Sequence, residues 1–132
     1  MRLTIYLAAA LALSGSSSLA TAKAATAMAK PAAFELNGTT WTFTDNKGVK
    51  SRLSVNADGN YITQGVDGKH LDHGMSVMKD DKACFTSAMT KDGEICWTTK
   101  PVNVGQSMHT VNNKGEKLVV TRVDYTPLEM PK

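Results

Sequence analysis

The stretch Ala83-Cys84-Phe85-Thr86-Ser87-Ala88-Met89-Thr90-Lys91-Asp92-Gly93-Glu94-Ile95-Cys96-Trp97-Thr98-Thr99 holds both cysteines of the chain, one on each side of a Lys91-Asp92-Gly93 turn signal. The residues around each cysteine are β-branched or aromatic, the composition of a strand. The stretch reads as a β-hairpin stapled by a Cys84–Cys96 disulfide. Strand side chains alternate faces. If Cys84 lies opposite Cys96, then Ala83, Phe85, Ile95 and Trp97 share the apolar face that looks into a core. The disulfide then sits on the outer face or near a rim.

Turn chemistry and staple compete here. A tight Asp92-Gly93 turn would place Met89, not Cys84, opposite Cys96. Cysteines whose Cα atoms are more than about 7 Å apart cannot be bridged without backbone movement. The expectation is therefore a longer loop or a bulge, with Gly93 free to take positive φ. A bridge is at home in an oxidising compartment.

Working outward, residues 1–24 have the pattern of a secretory signal peptide. Arg2 is followed by a short apolar run from Leu3 to Leu13, a Ser-rich break and Ala-x-Ala sites at Ala20–Ala22 and Ala22–Ala24. The run is shorter than the about 20 residues needed to span a bilayer. Residues 25–33 are small and of low complexity and read as a disordered leader. Residues 34–132 then form a single domain, small enough for one staple to matter.

The chain carries 15 Lys+Arg against 12 Asp+Glu, and 15 less Arg2 and Lys23 leaves 13. The mature domain is thus nearly neutral. It shows no basic nucleic-acid surface and no amphipathic helix for stable membrane association.

From Glu35 onward, strand patterns alternate with turn signals at the 8–12 residue spacing of sandwiches and barrels. Trp41 and Phe43 share one face against threonines. Val49, Ser51, Leu53 and Val55 share a face against Lys50, Arg52 and Ser54. Turns are expected at Asp45–Gly48, Ala57–Asn60, Val66–Lys69, Asp80-Asp81 and Asn112–Gly115. The similarity of Asp45–Lys50 to Asn112–Lys117 is read as convergent turn chemistry, since the flanks differ. Met75–Lys79 reads as a short strand, and Pro101 ends the second arm of the stapled hairpin.

The fold expected is all-β: an antiparallel meander of about eight strands closed into a small barrel, which removes exposed edges. The expected core draws on Trp41, Phe43, Leu53, Val55 and Tyr61 in the first half. In the second half it draws on Val77, Phe85, Ile95, Trp97, Val119 and Val123.

Leu36-Asn37-Gly38-Thr39-Thr40-Trp41 resembles the opening of lipocalin-like and other calycin-type barrels, with Gly-x-x-Trp in place of the lipocalin Gly-x-Trp. In those families a glycine precedes a strand tryptophan that plugs one barrel end. The pattern formed by Gly74, Cys84-Phe85 and Cys96-Trp97-Thr98 is similar to that of small uncharacterised secreted proteins of Gram-negative bacteria. Both resemblances imply a small exported β-barrel, periplasmic or secreted. Neither carries a catalytic residue or ligand onto this sequence.

The polar constellation with chemical interest is Lys69-His70-Leu71-Asp72-His73-Gly74-Met75, with His109 elsewhere as the third histidine. His with Asp suits zinc, and His with Met suits copper. In a regular strand His70 and Asp72 share a face and His73 points away, so the histidines converge only in a turn or at a bulge. The same residues also read as solvated loop histidines. No Gly-x-Ser-x-Gly, His-Glu-x-x-His, P-loop or dinucleotide pattern occurs. The expectation is a non-enzymatic binding module without a cofactor, for a small ligand or an extracytoplasmic protein. The alternative is a copper- or zinc-binding protein using His70, Asp72, His73 and His109.

Overall fold

The computed structural model describes residues 34–132, so the expected signal peptide and leader lie outside the described residues. Eight strands follow in order: β1 (Thr39–Thr44), β2 (Lys50–Val55), β3 (Asn60–Gly65), β4 (His70–Lys79), β5 (Lys82–Ser87), β6 (Glu94–Thr98), β7 (Ser107–Val111) and β8 (Lys117–Val123). They pair antiparallel in the order β6-β5-β4-β3-β2-β1-β8-β7. The sequence order is thus preserved around a nearly closed barrel, with β8 returning to β1 through Thr40↔Val123 to Phe43↔Val120.

Local chemistry sets the hairpins. Asp45 Oδ1 accepts from Lys47 N and Val49 N at 2.9 and 2.8 Å. Asn56 Oδ1 accepts in the same way from Asp58 N and Asn60 N, and Asn112 Oδ1 from Lys114 N and Glu116 N. In each turn the fourth residue is a glycine with positive φ: 78° at Gly48, 88° at Gly59 and 83° at Gly115. The device is a three-residue loop closed by a left-handed residue, with an Asx side chain satisfying two amides that the ladder leaves open. The β4–β5 turn uses Asp80 and Asp81, both left-handed at φ 48° and 60°. Lys79 there pairs directly with Lys82.

The staple forms as read. Cys84 pairs with Cys96 in register and is bridged to it. The two-residue turn gives way to a loop between Ser87 and Glu94, in which Gly93 has φ 77°. A bridge closing so short a loop contributes about 3 kcal/mol in the chain-entropy model. It also belongs to an oxidising, extracytoplasmic environment.

The ladder lapses between β6 and β7, where a single bridge joins Trp97 to Asn112. Side chains close the gap. Asn113 Oδ1 accepts from Cys96 N, and Asn113 N donates to Cys96 O. Thr110 Oγ1 donates to Thr98 O at 2.7 Å, and Thr98 Oγ1 accepts from Val111 N at 3.1 Å. Backbone groups on this seam thereby keep partners without a regular strand pair.

Trp41, Leu53, Tyr61 and Ala83 point inward with Phe85, and Val55 is fully buried. Burial of such a valine contributes about 1.5–3 kcal/mol. Four expectations are corrected. Val77 and Val119 face outward and are 46% and 48% exposed. Val77 pairs with Cys84, so it shares the disulfide's outer face, while Val119 yields the interior to Leu118 and Val120. Val123 has the parity of Val119 and is half-buried. Val49 sits in the first turn and is exposed, so the inner row of β2 begins at Ser51.

The C-terminal segment lies across the outer side of β1 and β2. Thr126 N donates to Thr40 Oγ1 at 2.8 Å, and Ser54 Oγ donates to Thr126 O at 2.5 Å. This contact explains why Thr40 and Ser54, outward by parity, are buried.

Candidate functional site

The barrel encloses a cavity of about 280 Å³, near the low end of the ~300–1,000 Å³ usual for ligand pockets. Aromatic and aliphatic residues dominate its wall, among them Trp41, Phe43, Leu53, Phe85, Ile95 and Trp97. Exposed Thr90, Asp92 and Gly93 of the β5–β6 loop also line it, so the cavity meets solvent beneath that loop.

The tryptophan read from the opening motif is fixed by one aromatic stack and one hydrogen bond. Trp41 stacks on Phe34, with ring centroids 5.6 Å apart. Its Nε1 donates to Thr39 Oγ1 at 2.8 Å, and Thr39 Oγ1 in turn donates to Leu36 O. Tyr61 meets Phe85 edge-to-face at 5.1 Å, a favoured aromatic geometry.

Asp72 is the polar centre of the wall. Tyr61 Oη donates to its Oδ2 at 2.8 Å. Ser87 Oγ donates to its Oδ1 at 2.5 Å, and His73 N donates to the same oxygen at 2.9 Å. Ser87 Oγ also accepts from Met89 N and Thr90 N, which ties the β5–β6 loop to the carboxylate. Burial, reinforced by the hydrogen bond to Asp72 and its charge, pushes the Tyr61 phenol well above its ordinary pKa. Tyr61 therefore serves as a hydrogen-bond donor at neutral pH.

The four residues read as metal donors are not brought together. A register shift opposite Thr63/Gln64 makes β4 bulge: Thr63 pairs with Asp72 and Gln64 with His70, leaving Leu71 as the extra residue. The bulge moves His70 from the face of Asp72, where regular alternation would put it, to the face of His73. Asp72 turns into the cavity, while His70 and His73 come together on the other side, His70 Nε2 lying 3.1 Å from His73 Nδ1. His70 Nδ1 is buried without a hydrogen-bond partner. His109 lies exposed on β7, three strands around the barrel from β4.

Sequence reading missed Ser87 altogether, placed Tyr61 only in the core, and grouped Asp72 with the histidines. The alternation of β5 carried a signal for Ser87, which has the parity of Ala83 and Phe85. No family model, curated protein or solved structure matches the chain.

Proposed function

We propose that this domain is a non-enzymatic exported binding protein, periplasmic or secreted, that takes a small, largely apolar ligand into its barrel. The observation that carries the reading is the cavity itself: an aromatic and aliphatic wall with one convergent polar centre at Asp72, Tyr61 and Ser87. Apolar concavity with few, placed polar groups is the usual form of a small-molecule site. Trp41, stacked on Phe34 and hydrogen-bonded to Thr39, supplies part of that aromatic wall. The charged start and apolar run of residues 1–24, together with the disulfide, support export.

Calorimetric titration with 2-phenylethanol tests the reading. Saturable binding is expected, and Val120→Phe should weaken it by filling the space the ligand needs. Binding indifferent to Val120→Phe in a folded variant, or failure of 2-phenylethanol and of its amine and carboxylate analogues alike to bind, would remove the cavity as the site.

A metal-binding role has one observation in its favour, the approach of His70 Nε2 to His73 Nδ1. Two imidazoles fall short of the three or four ligands of a zinc site. Asp72 is held inside by Tyr61 and Ser87, and His109 is on another side of the barrel.

A further inference from the structure

Resting on the cavity reading, we infer that the ligand is a protonated amine with an apolar, preferably aromatic, body, its ammonium directed at Asp72. The charge pattern of the cavity leads there. Two carboxylates line it, Asp72 within and Asp92 at the mouth, and the described lining residues include no Lys, Arg or His. Arg122, which pairs with inward-facing Trp41, turns its guanidinium to Val102 O at 3.0 Å and is not part of the wall. The one ion pair among the described residues, Lys79 with Glu94, involves neither Asp72 nor Asp92. The negative charge of Asp72 thus stands in an apolar cavity with hydrogen-bond donors around it but no counter-charge.

An ionised carboxylate offers about four acceptor sites. Tyr61, Ser87 and His73 N use three, two on Oδ1 and one on Oδ2. One position on Oδ2 remains for a ligand donor. Charge is costly to keep in apolar surroundings unless it is paired, so a cation gains here what a neutral donor does not. The aromatic faces of the wall add an attraction that only a cation feels. A carboxylate ligand meets like charge at both the mouth and the interior. A hydrated metal ion finds one anchored carboxylate among apolar groups, which does not replace its shell of oxygen ligands.

The test is a matched series on the wild-type protein at neutral pH, using 2-phenylethylamine, 2-phenylethanol and phenylacetate as probes. The amine is expected to bind at least tenfold tighter than the alcohol, and phenylacetate more weakly than either. Asp72→Asn, checked by its melting curve, should remove the amine's advantage over the alcohol, so that the two bind this variant within about twofold of each other. Equal binding of amine and alcohol to the wild-type protein, or preference for phenylacetate, would overturn the amine inference and leave the cavity reading standing. Failure of all three to bind would overturn both. The wild-type comparison decides the matter even if Asp72→Asn does not fold.

Discussion

Tyr61 and Asp72 meet diagonally across β3 and β4, the phenol oxygen 2.8 Å from Asp72 Oδ2, while their register partners are Gly74 and Thr63. Diagonal neighbours on one sheet face lie within reach of a long aromatic side chain. Asp72 takes its inward parity from the regular part of the β3–β4 ladder, opposite inward-facing Thr63, and the bulge at Leu71 lies just beyond it.

This pair predicts an alkaline response. The folded-state pKa of Tyr61 is raised above the unfolded value of about 10. Its contribution to stability is fully present below about pH 10 and is lost as pH climbs through the raised folded value. The absorbance difference between wild type and Tyr61→Phe should show no Tyr61 phenolate at pH 10 while the protein is folded. A normal phenolate titration of Tyr61 in the folded protein would contradict the placement.

The disulfide should be present in the mature protein, seen as the mass of two hydrogens missing and no thiol reactivity after unfolding without reductant. Cys84→Ala should cost about 2–5 kcal/mol in urea unfolding, the usual loss for a small secreted domain. Full alkylation without reductant would contradict the bridge.

Much of this architecture was legible because its chemistry is local. Asp45, Asn56 and Asn112, each followed by a glycine three residues on, announce their turns within five residues. The two cysteines, flanked by Phe85 and Trp97, place the interior on one side of their hairpin. The bulge at Leu71 is different, because it exists only in the pairing of β4 with β3. Regular alternation puts His70 on the face of Asp72; the histidines converge only in a turn or at a bulge, and the bulge at Leu71 brings them together. Val77 and Val119 misled for a related reason: hydrophobicity does not fix strand parity, and the partner across the ladder does. The side-chain seam between β6 and β7 needs Asn113 and Cys96, distant in sequence, to meet.

Gly74 predicts a steric limit. A Cβ there would run into the Thr86 carbonyl oxygen and crowd Ser87 Cα and Ala88 N, all backbone atoms. Gly74→Ala should therefore destabilise by about 1–3 kcal/mol, the range for overpacked sites, measured by chemical denaturation. An unchanged midpoint would show that β4 and β5 are further apart than described.

For the histidine pair, two donors predict weak metal binding. Zinc or copper should bind no tighter than micromolar, and the His70→Ala/His73→Ala double variant should melt at the wild-type temperature with or without metal. A ligand that binds only the native state raises the melting temperature in step with its affinity. A large zinc-dependent rise, abolished in the double variant, would instead make metal handling the leading function.

The central claim is that the barrel interior is the binding site, and the indole N–H resonances of Trp41 and Trp97 report on it most directly. Both side chains line the cavity, and the sequence has no other tryptophan. Titration with 2-phenylethylamine, followed by ¹⁵N-correlated NMR, should shift both resonances along one saturating curve. Amides of the outward residues Val119 and Thr121 should stay in place. Unmoved indoles at ligand concentrations above about 1 mM, where even an affinity of about −4 kcal/mol would be visible, would contradict the account. So would shifts confined to the outer face.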